Sequence, residues 1–307
     1  MGLVSLSTDT LQRIMGDAEA IDYAKEIGCD AIDFNLCDND ITRIGSVYRE
    51  GEAAVIKYYT EIAERAASLG LVIHQTHGRL KGFTHDKSWN ELTLENARLD
   101  CLASSVLGAR YTVMHTASNI HVGRDAPPEL MDAINDEMFL SILPYAKKYG
   151  VILCTETLGD APAFGTCNYF GYMDNLIRAY DRVAAACDCA EHFKVCMDTG
   201  HTHKAARFAG NPSVEESIRM LGGRIGCLHL NDNNGLTDQH KIPYSATVDF
   251  DAVFAALAEI GYSGTYNMEI SLNHFGENFE REEAAFAVSA MRNILRTKEL
   301  YRAATNK

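Results

Sequence analysis

Short apolar runs alternate with longer amphipathic stretches along the whole chain, and this alternation constrains the fold more than any other feature. Eight runs have the length and residue types of buried strands: residues 3–7, 31–36, 71–76, 111–115, 151–156, 194–198, 226–230 and 265–270. Segments between them, such as 52–68, 92–107 and 251–260, carry apolar residues at three- and four-residue spacing. The pattern therefore predicts eight strand-helix units rather than a sandwich or a bundle.

The predicted helices end in a repeated way that supports one closed architecture. Gly28, Gly70, Gly150 and Gly261 each stand where a left-handed cap precedes the next strand. The chain has few prolines and no linker rich in glycine and serine. We therefore predict a (β/α)8 TIM barrel that forms a single domain over residues 1–307. A doubly wound open sheet is the alternative, but no Gly-x-Gly-x-x-Gly turn follows the first predicted strand.

Composition restricts the compartment and the partners. The nine cysteines are odd in number and scattered, and Cys154, Cys196 and Cys227 fall within apolar runs, so we interpret them as reduced thiols in a cytoplasmic protein. No stretch predicts a signal peptide or a membrane span. With 42 acidic against 28 basic residues the net charge is −14, which disfavours nucleic acid as a partner. A homo-oligomer is compatible with the sequence.

The strongest functional signal is a row of metal-competent side chains at the predicted strand ends. In a (β/α)8 barrel the active site is built at the C-terminal ends of the strands. The third to eighth strands deliver one such residue each, in the order His77, His115, Glu156, Asp198, His229 and Glu269. Taken singly, a structural salt bridge or a core imidazole would explain each of them. Their alignment at one rim favours ligation, and for His77 and His115 hydrogen bonding to substrate hydroxyl groups is an equal alternative.

Two loop motifs add ligand spacings after the sixth and seventh strands. His201 follows Asp198 by three residues, and Asp238 and His240 lie on the same side of an extended turn. Each motif alone is common in capped turns and surface pairs. Together with the rim they extend the candidate set to nine residues.

These residues resemble the xylose isomerase-like barrel superfamily, over the whole chain and in strand order. The superfamily includes sugar 3-epimerases, inosose-processing enzymes and endonucleases of the endonuclease IV type. The resemblance to the epimerases implies that Glu156, Asp198, His229 and Glu269 hold a divalent metal, with the two glutamates as the acid/base pair. One departure is Gly235, which stands where the epimerase pattern has an arginine and puts the contacts to the distal hydroxyl groups of the substrate in doubt.

The resemblance to endonuclease IV implies a second possibility. That enzyme binds three zinc ions with the same four positions and five more, which match His77, His115, His201, Asp238 and His240 here. Duplex binding needs several lysines or arginines on phosphates, and the only basic cluster in this sequence is Lys147-Lys148. We therefore rank a zinc phosphodiesterase acting on abasic DNA below the sugar enzyme.

The ligand chemistry leads to our functional prediction. Three carboxylates and one imidazole suit Mn²⁺ best, with Zn²⁺, Mg²⁺ or Co²⁺ as alternatives. Such an ion would stabilise an enediolate while Glu156 and Glu269 exchange protons with the substrate, and His201 would orient a ligand or steady Asp198. We predict an isomerase or epimerase of a sugar, sugar phosphate or polyol ketone. An inosose-type dehydratase and a metal-binding subunit of a larger complex are further alternatives.

Overall fold

Eight parallel strands form the centre of the molecule. The computed structural model describes residues 2–305, and the side chains of residues 2–298. The strands are β1 Val4–Ser7, β2 Ala31–Asn35, β3 Val72–His77, β4 Tyr111–Met114, β5 Ile152–Glu156, β6 Phe193–Asp198, β7 Ile225–His229 and β8 Tyr266–Met268. Consecutive strands pair from β1 to β7, and β8 pairs with β1. A parallel bridge between Leu230 and Met268 closes the ring, which confirms the predicted (β/α)8 TIM barrel.

Helices surround the strands and bury their apolar faces against them. They are α1 Asp9–Met15, α2 Asp17–Glu26, α3 Glu52–Ser68, α4 Lys87–Val106, α5 Asn119–Val122, α6 Pro128–Tyr149, α7 Met173–Ala186, α8 Thr199–Ala205, α9 Val214–Leu221, α10 Phe250–Glu259 and α11 Glu280–Thr305. A short antiparallel ribbon, Asp160–Ala161 with Thr166–Cys167, follows β5. Within residues 2–305, no helix combines the length and the apolar character that crossing a bilayer requires.

The predicted boundaries agree closely with the structure. Gly28, Gly70, Gly150 and Gly261 all have positive φ angles, as predicted for left-handed caps. The largest difference is α4, which begins five residues before the predicted start at residue 92. Asp86 explains this, because its side chain accepts hydrogen bonds from two backbone N–H groups of the first turn.

The cysteines that we interpreted as packing residues lie inside the barrel. Cys154, Cys196 and Cys227 are fully buried and form one small cluster with Tyr111 and Val113. All nine cysteines of the chain lie in the described part and are free thiols. Each of the three clustered cysteines precedes Glu156, Asp198 or His229 by two residues on its strand, so the cluster lies on the same face of the sheet as these residues and nearer to the N-terminal ends of the strands.

Candidate metal centre and active site

Four predicted ligands meet at the C-terminal mouth of the barrel. Glu156, Asp198 and His229 are the last residues of β5, β6 and β7, and Glu269 follows β8 directly. One donor atom from each lies within 4.8 Å of the donors of the other three. The first three side chains are completely buried and Glu269 is 19% exposed. We call these residues the four-residue centre.

His77, the last residue of β3, and His115, which follows β4 directly, both contact Glu156. The Nε2 atom of His115 lies 3.2 Å from Glu156 Oε2, and that of His77 lies 3.3 Å from the same oxygen. His77 Nε2 is also 3.5 Å from Glu269 Oε1. His77, His115 and Glu156 therefore form a second group with metal-ligand spacing.

The loop residues form a third group, which we call the outer triad: His201, Asp238 and His240. Asp238 Oδ2 lies 3.4 Å from His201 Nε2 and 3.5 Å from His240 Nε2. The outer triad borders the four-residue centre, because His240 Nδ1 lies 3.5 Å from Glu269 Oε2 and His201 Nδ1 lies 3.3 Å from Glu156 Oε1. All nine predicted side chains thus converge at one mouth. Their roles as ligands stay a prediction.

Hydrogen bonds from the opposite nitrogen orient the imidazoles of the outer triad. The Nδ1 atom of His201 lies 3.1 Å from the backbone carbonyl of Thr157, and that of His240 lies 3.1 Å from the carbonyl of Glu269. Because a carbonyl oxygen only accepts, Nδ1 of each ring carries the hydrogen. Both Nε2 atoms are then free to face Asp238 as ligands, which is the arrangement that protein metal sites use.

His229 is fixed in the same manner by Asp33, a residue that sequence reasoning missed. Its Nε2 donates to Asp33 Oδ2 at 3.0 Å, so Nδ1 faces Glu156 at 3.2 Å and Glu269 at 3.4 Å. Gln75 and Asn267 also donate to Asp33 Oδ2, each at 3.2 Å. Asp33 is completely buried within β2. The sequence does contain a signal for Asp33, because an acidic residue within the apolar run 31–36 is unusual. Glu156 stands out in its own strand for the same reason.

Asp198 is positioned by its own turn and by the loop after β7. Its Oδ1 accepts from the backbone N–H of His201 at 2.6 Å, and its Oδ2 accepts from the Asn231 amide at 2.7 Å. Asn231 packs so closely on Gly200 that a Cβ atom there would lie 1.8 Å from its Oδ1. The glycine between Asp198 and His201 therefore allows the close approach that positions both side chains.

The electrostatics of the centre fit a bound cation. Burial alone raises the pKa of Glu156, but the positive charges of His229 and His115 outweigh it and hold the pKa well below its ordinary value. Burial raises the pKa of Asp198 to about 6 against the opposing charge of His201. Glu156 Oε2 is buried and faces the Nε2 atoms of His115 and His77 at 3.2 and 3.3 Å, in a geometry that forms no regular hydrogen bond. A buried carboxylate of this kind is stabilised by a cation, and this donor set suits a divalent metal.

A polar cavity of about 210 Å³ lies beside Glu269. Its wall includes His77 and His240, together with Asp9, Asn35 and Ser271. The Asp9 carboxylate accepts from the Asn35 amide at 2.8 Å and pairs with a guanidinium nitrogen of Arg13 at 3.0 Å. Arg13 and Asn35 also line a second polar cleft of about 470 Å³. The cavity thus presents donors and acceptors suited to a small polyhydroxylated molecule.

The comparison with protein families identifies the class of protein. Residues 21–294 match the family described as xylose isomerase-like TIM barrel, so the chain belongs to that family. An uncharacterised protein of Methanocaldococcus jannaschii is 25% identical over 70% of this chain and 68% of its own length. A probable endonuclease 4 of Bacillus velezensis is 24% identical over 60% of each chain. The chain therefore spans about two thirds or less of the length of these relatives.

Several solved structures share the fold over nearly the whole chain. An L-ribulose 3-epimerase superposes with a TM-score of 0.74 at 17% identity, covering 100% of this chain and 99% of the other. A D-psicose 3-epimerase gives 0.69 at 15% identity, covering 95% and 99%. The IolI protein, solved with a zinc atom, gives 0.70 at 16% identity, covering 95% of each. At these identities the likeness concerns the fold alone.

Proposed function

We propose that this protein is a divalent-metal-dependent isomerase or epimerase of a sugar, sugar phosphate or polyol ketone. One observation carries the proposal: Glu156, Asp198, His229 and Glu269 place donor atoms within 4.8 Å of one another beside a small polar cavity. Two glutamates from non-adjacent strands at such a centre can give and take protons on a bound substrate. The sugar epimerases and the zinc-bound IolI protein that share the fold support this choice.

The two glutamates have unequal access to the substrate. Glu269 lines the cavity and is 19% exposed, whereas Glu156 is completely buried beneath it. We therefore assign to Glu269 the first removal of a proton from the substrate carbon, through an enediolate. Glu156 lies on the inner side, where His77, His115 and His229 balance its charge. Glu269 keeps the proton that it removed, and the proton that returns to the opposite face would pass from the protonated His77 imidazole through the Glu156 carboxylate, 3.3 Å away.

The four-residue centre would hold the metal ion. When bound, a divalent cation polarises a substrate carbonyl and stabilises negative charge that develops next to it. Three carboxylates with one imidazole form an oxygen-rich set that suits Mn²⁺, and Zn²⁺, Mg²⁺ or Co²⁺ are compatible with it. The orientation of His229 by Asp33 keeps one ring nitrogen directed at this centre.

Free thiols support our proposal of a cytoplasmic location. All nine cysteines are unpaired and most are buried, as expected where thiols stay reduced. We therefore propose that the substrate is a small carbohydrate inside the cell.

A zinc phosphodiesterase is the second candidate, because the outer triad and the group around His77 and His115 complete the nine-ligand set. The matched endonuclease 4 relative favours it as well. The net charge of −14 opposes it, since a duplex would be repelled at long range.

Proton exchange with solvent tests the proposal. The Mn²⁺-loaded protein is incubated in D₂O with a panel of ketoses and inososes, and deuterium incorporation is followed by NMR. We expect exchange at the carbon next to the carbonyl, its loss in Glu269→Gln, and no change in the matched control Glu277→Gln, an exposed glutamate after β8. Cleavage of an abasic duplex at low salt, with no exchange into any sugar, would establish the second candidate instead.

A further inference from the structure

A buried lysine lies directly behind the outer triad. Lys204 follows His201 by three residues on α8, and its side chain is 5% exposed. Its ammonium nitrogen lies 3.0 Å from Asp160 Oδ1 and 3.3 Å from Asp238 Oδ1. The lysine therefore binds one oxygen of a predicted metal ligand from inside the protein.

The Asp238 carboxylate is consequently shared between two sides. Its Oδ1 faces Lys204, whereas its Oδ2 faces the Nε2 atoms of His201 and His240 at 3.4 and 3.5 Å. A metal ion at the outer triad would use Oδ2 together with these two nitrogens. The ion and the Lys204 ammonium group would then bind the two oxygens of the same carboxylate.

The local charge is balanced without a metal ion. Asp160, which is 1% exposed, pairs with both Lys204 and Arg207. Two basic groups thus accompany the carboxylates of Asp160 and Asp238. The four-residue centre differs, because its glutamates, Glu156 and Glu269, are paired with histidines. Among the side chains that the structure describes, a lysine is paired with a predicted ligand at the outer triad and not at the four-residue centre.

We propose that Lys204 is a positioning residue that weakens cation binding by the outer triad, so that the protein holds fewer than three metal ions. The ammonium group takes part of the negative charge of Asp238 and repels a second cation at short range in a buried site. It also holds Asp238 in place, so the carboxylate contacts His201 and His240 without a metal. The proposal rests on metal binding at the four-residue centre, and it concerns the number of ions rather than the reaction.

Zinc binding to the metal-free protein tests this inference. Zn²⁺ is titrated against a chromophoric chelator, and metal retained after desalting is counted by mass spectrometry. We expect the wild type to retain no more than two zinc ions. Lys204→Met should retain one more, with the affinity of the added site at least tenfold higher than in the wild type. Lys204→Arg keeps the positive charge and should match the wild type.

Lys87→Met is the matched control, because it removes a lysine whose side chain is 89% exposed and should change nothing. Lys204→Gln provides a second neutral variant if the methionine variant does not fold. Three tightly held ions in the wild type would overturn the inference without recourse to any variant. Equal counts in the wild type and in a folded neutral variant would overturn it as well, while leaving the proposed function intact. Failure of all these proteins to bind any zinc would overturn both proposals.

Discussion

The carboxylate of Asp33 offers a direct test of whether a buried charge strengthens metal binding at the four-residue centre. Asp33→Asn changes one oxygen to an amide nitrogen and removes the charge. Asp33 Oδ2 accepts from His229, Gln75 and Asn267, and the carbonyl oxygen of asparagine can accept the same three hydrogen bonds. The amide nitrogen would then occupy the position of Asp33 Oδ1, which is buried and has no hydrogen-bond partner. The substitution thus removes the charge while preserving the orientation of His229.

The expected magnitude follows from this geometry. A hydrogen bond to a charged group contributes about 1.5–3 kcal/mol and a neutral one about 0.5–1.5 kcal/mol. The hydrogen bond from His229 to residue 33 is therefore weaker by ~1–1.5 kcal/mol in the variant. That difference corresponds to about a tenfold loss of metal affinity, at the lower end of the ~10–100-fold range for such partners of metal ligands. Separately, the unpaired buried amide should lower the free energy of unfolding of the metal-free protein by about 1–3 kcal/mol.

Two measurements separate these effects. Competition with a chromophoric chelator gives the metal affinity, and urea unfolding of the metal-free protein gives the stability. Asp181→Asn serves as the control, because it removes the 51% exposed partner of Arg224 and should change stability by no more than about 1 kcal/mol. If Asp33→Asn folds and binds the metal as tightly as the wild type, the charge of Asp33 does not act on His229. The proposed strengthening of metal binding by that charge would then be refuted.

Three other substitutions probe the surroundings of the site. Gly200→Ala should weaken metal binding at least tenfold in a chelator titration, because its Cβ would displace Asn231 from the site carboxylate that it binds. Asp100→Asn should lower the free energy of unfolding in urea by about 3–5 kcal/mol, because it leaves the buried guanidinium of Arg79 without its paired charge. Burial lowers the pKa of His74, so its contribution to stability is complete above the ordinary value of 6.5 and is lost as pH falls through the lower folded value. Urea unfolding at pH 7.5 and 5.5 should therefore show a smaller loss of stability on acidification in His74→Phe than in the wild type.

The convergence of the nine predicted residues could be read from the sequence because of one property of the barrel. All the strands are parallel, so their C-terminal ends meet at one mouth, and a side chain at a strand end needs no further information to be placed there. His77, His115 and Glu156 were found in this manner from three strands that are far apart in the chain. The same reasoning placed Asp238 and His240 near the mouth, since their loop follows β7.

Residues that act through other side chains could not be placed by that rule. Asp33 lies inside β2, two residues before the strand ends, so its orientation toward His229 depends on strand stagger around the ring. Lys204 lies on a helix, where a lysine is ordinarily exposed. Its burial depends on Asp160 from the loop after β5 meeting Asp238 from the loop after β7. The sequence does not encode that meeting as a local pattern.

The ligand set by itself is compatible with two chemistries, because coordination depends on donor atoms that a sugar epimerase and an endonuclease share. The choice between them depends on the charges around those donors. An enzyme of the endonuclease IV type would use the outer triad for a third cation and would need a basic surface for phosphates. Here the outer triad already has the ammonium of Lys204 at Asp238, and the chain carries a net charge of −14. The ammonium of Lys204 acts against a third cation and the net charge acts against a polyanionic substrate, whereas neither impedes a small hydroxylated molecule in the cavity beside Glu269.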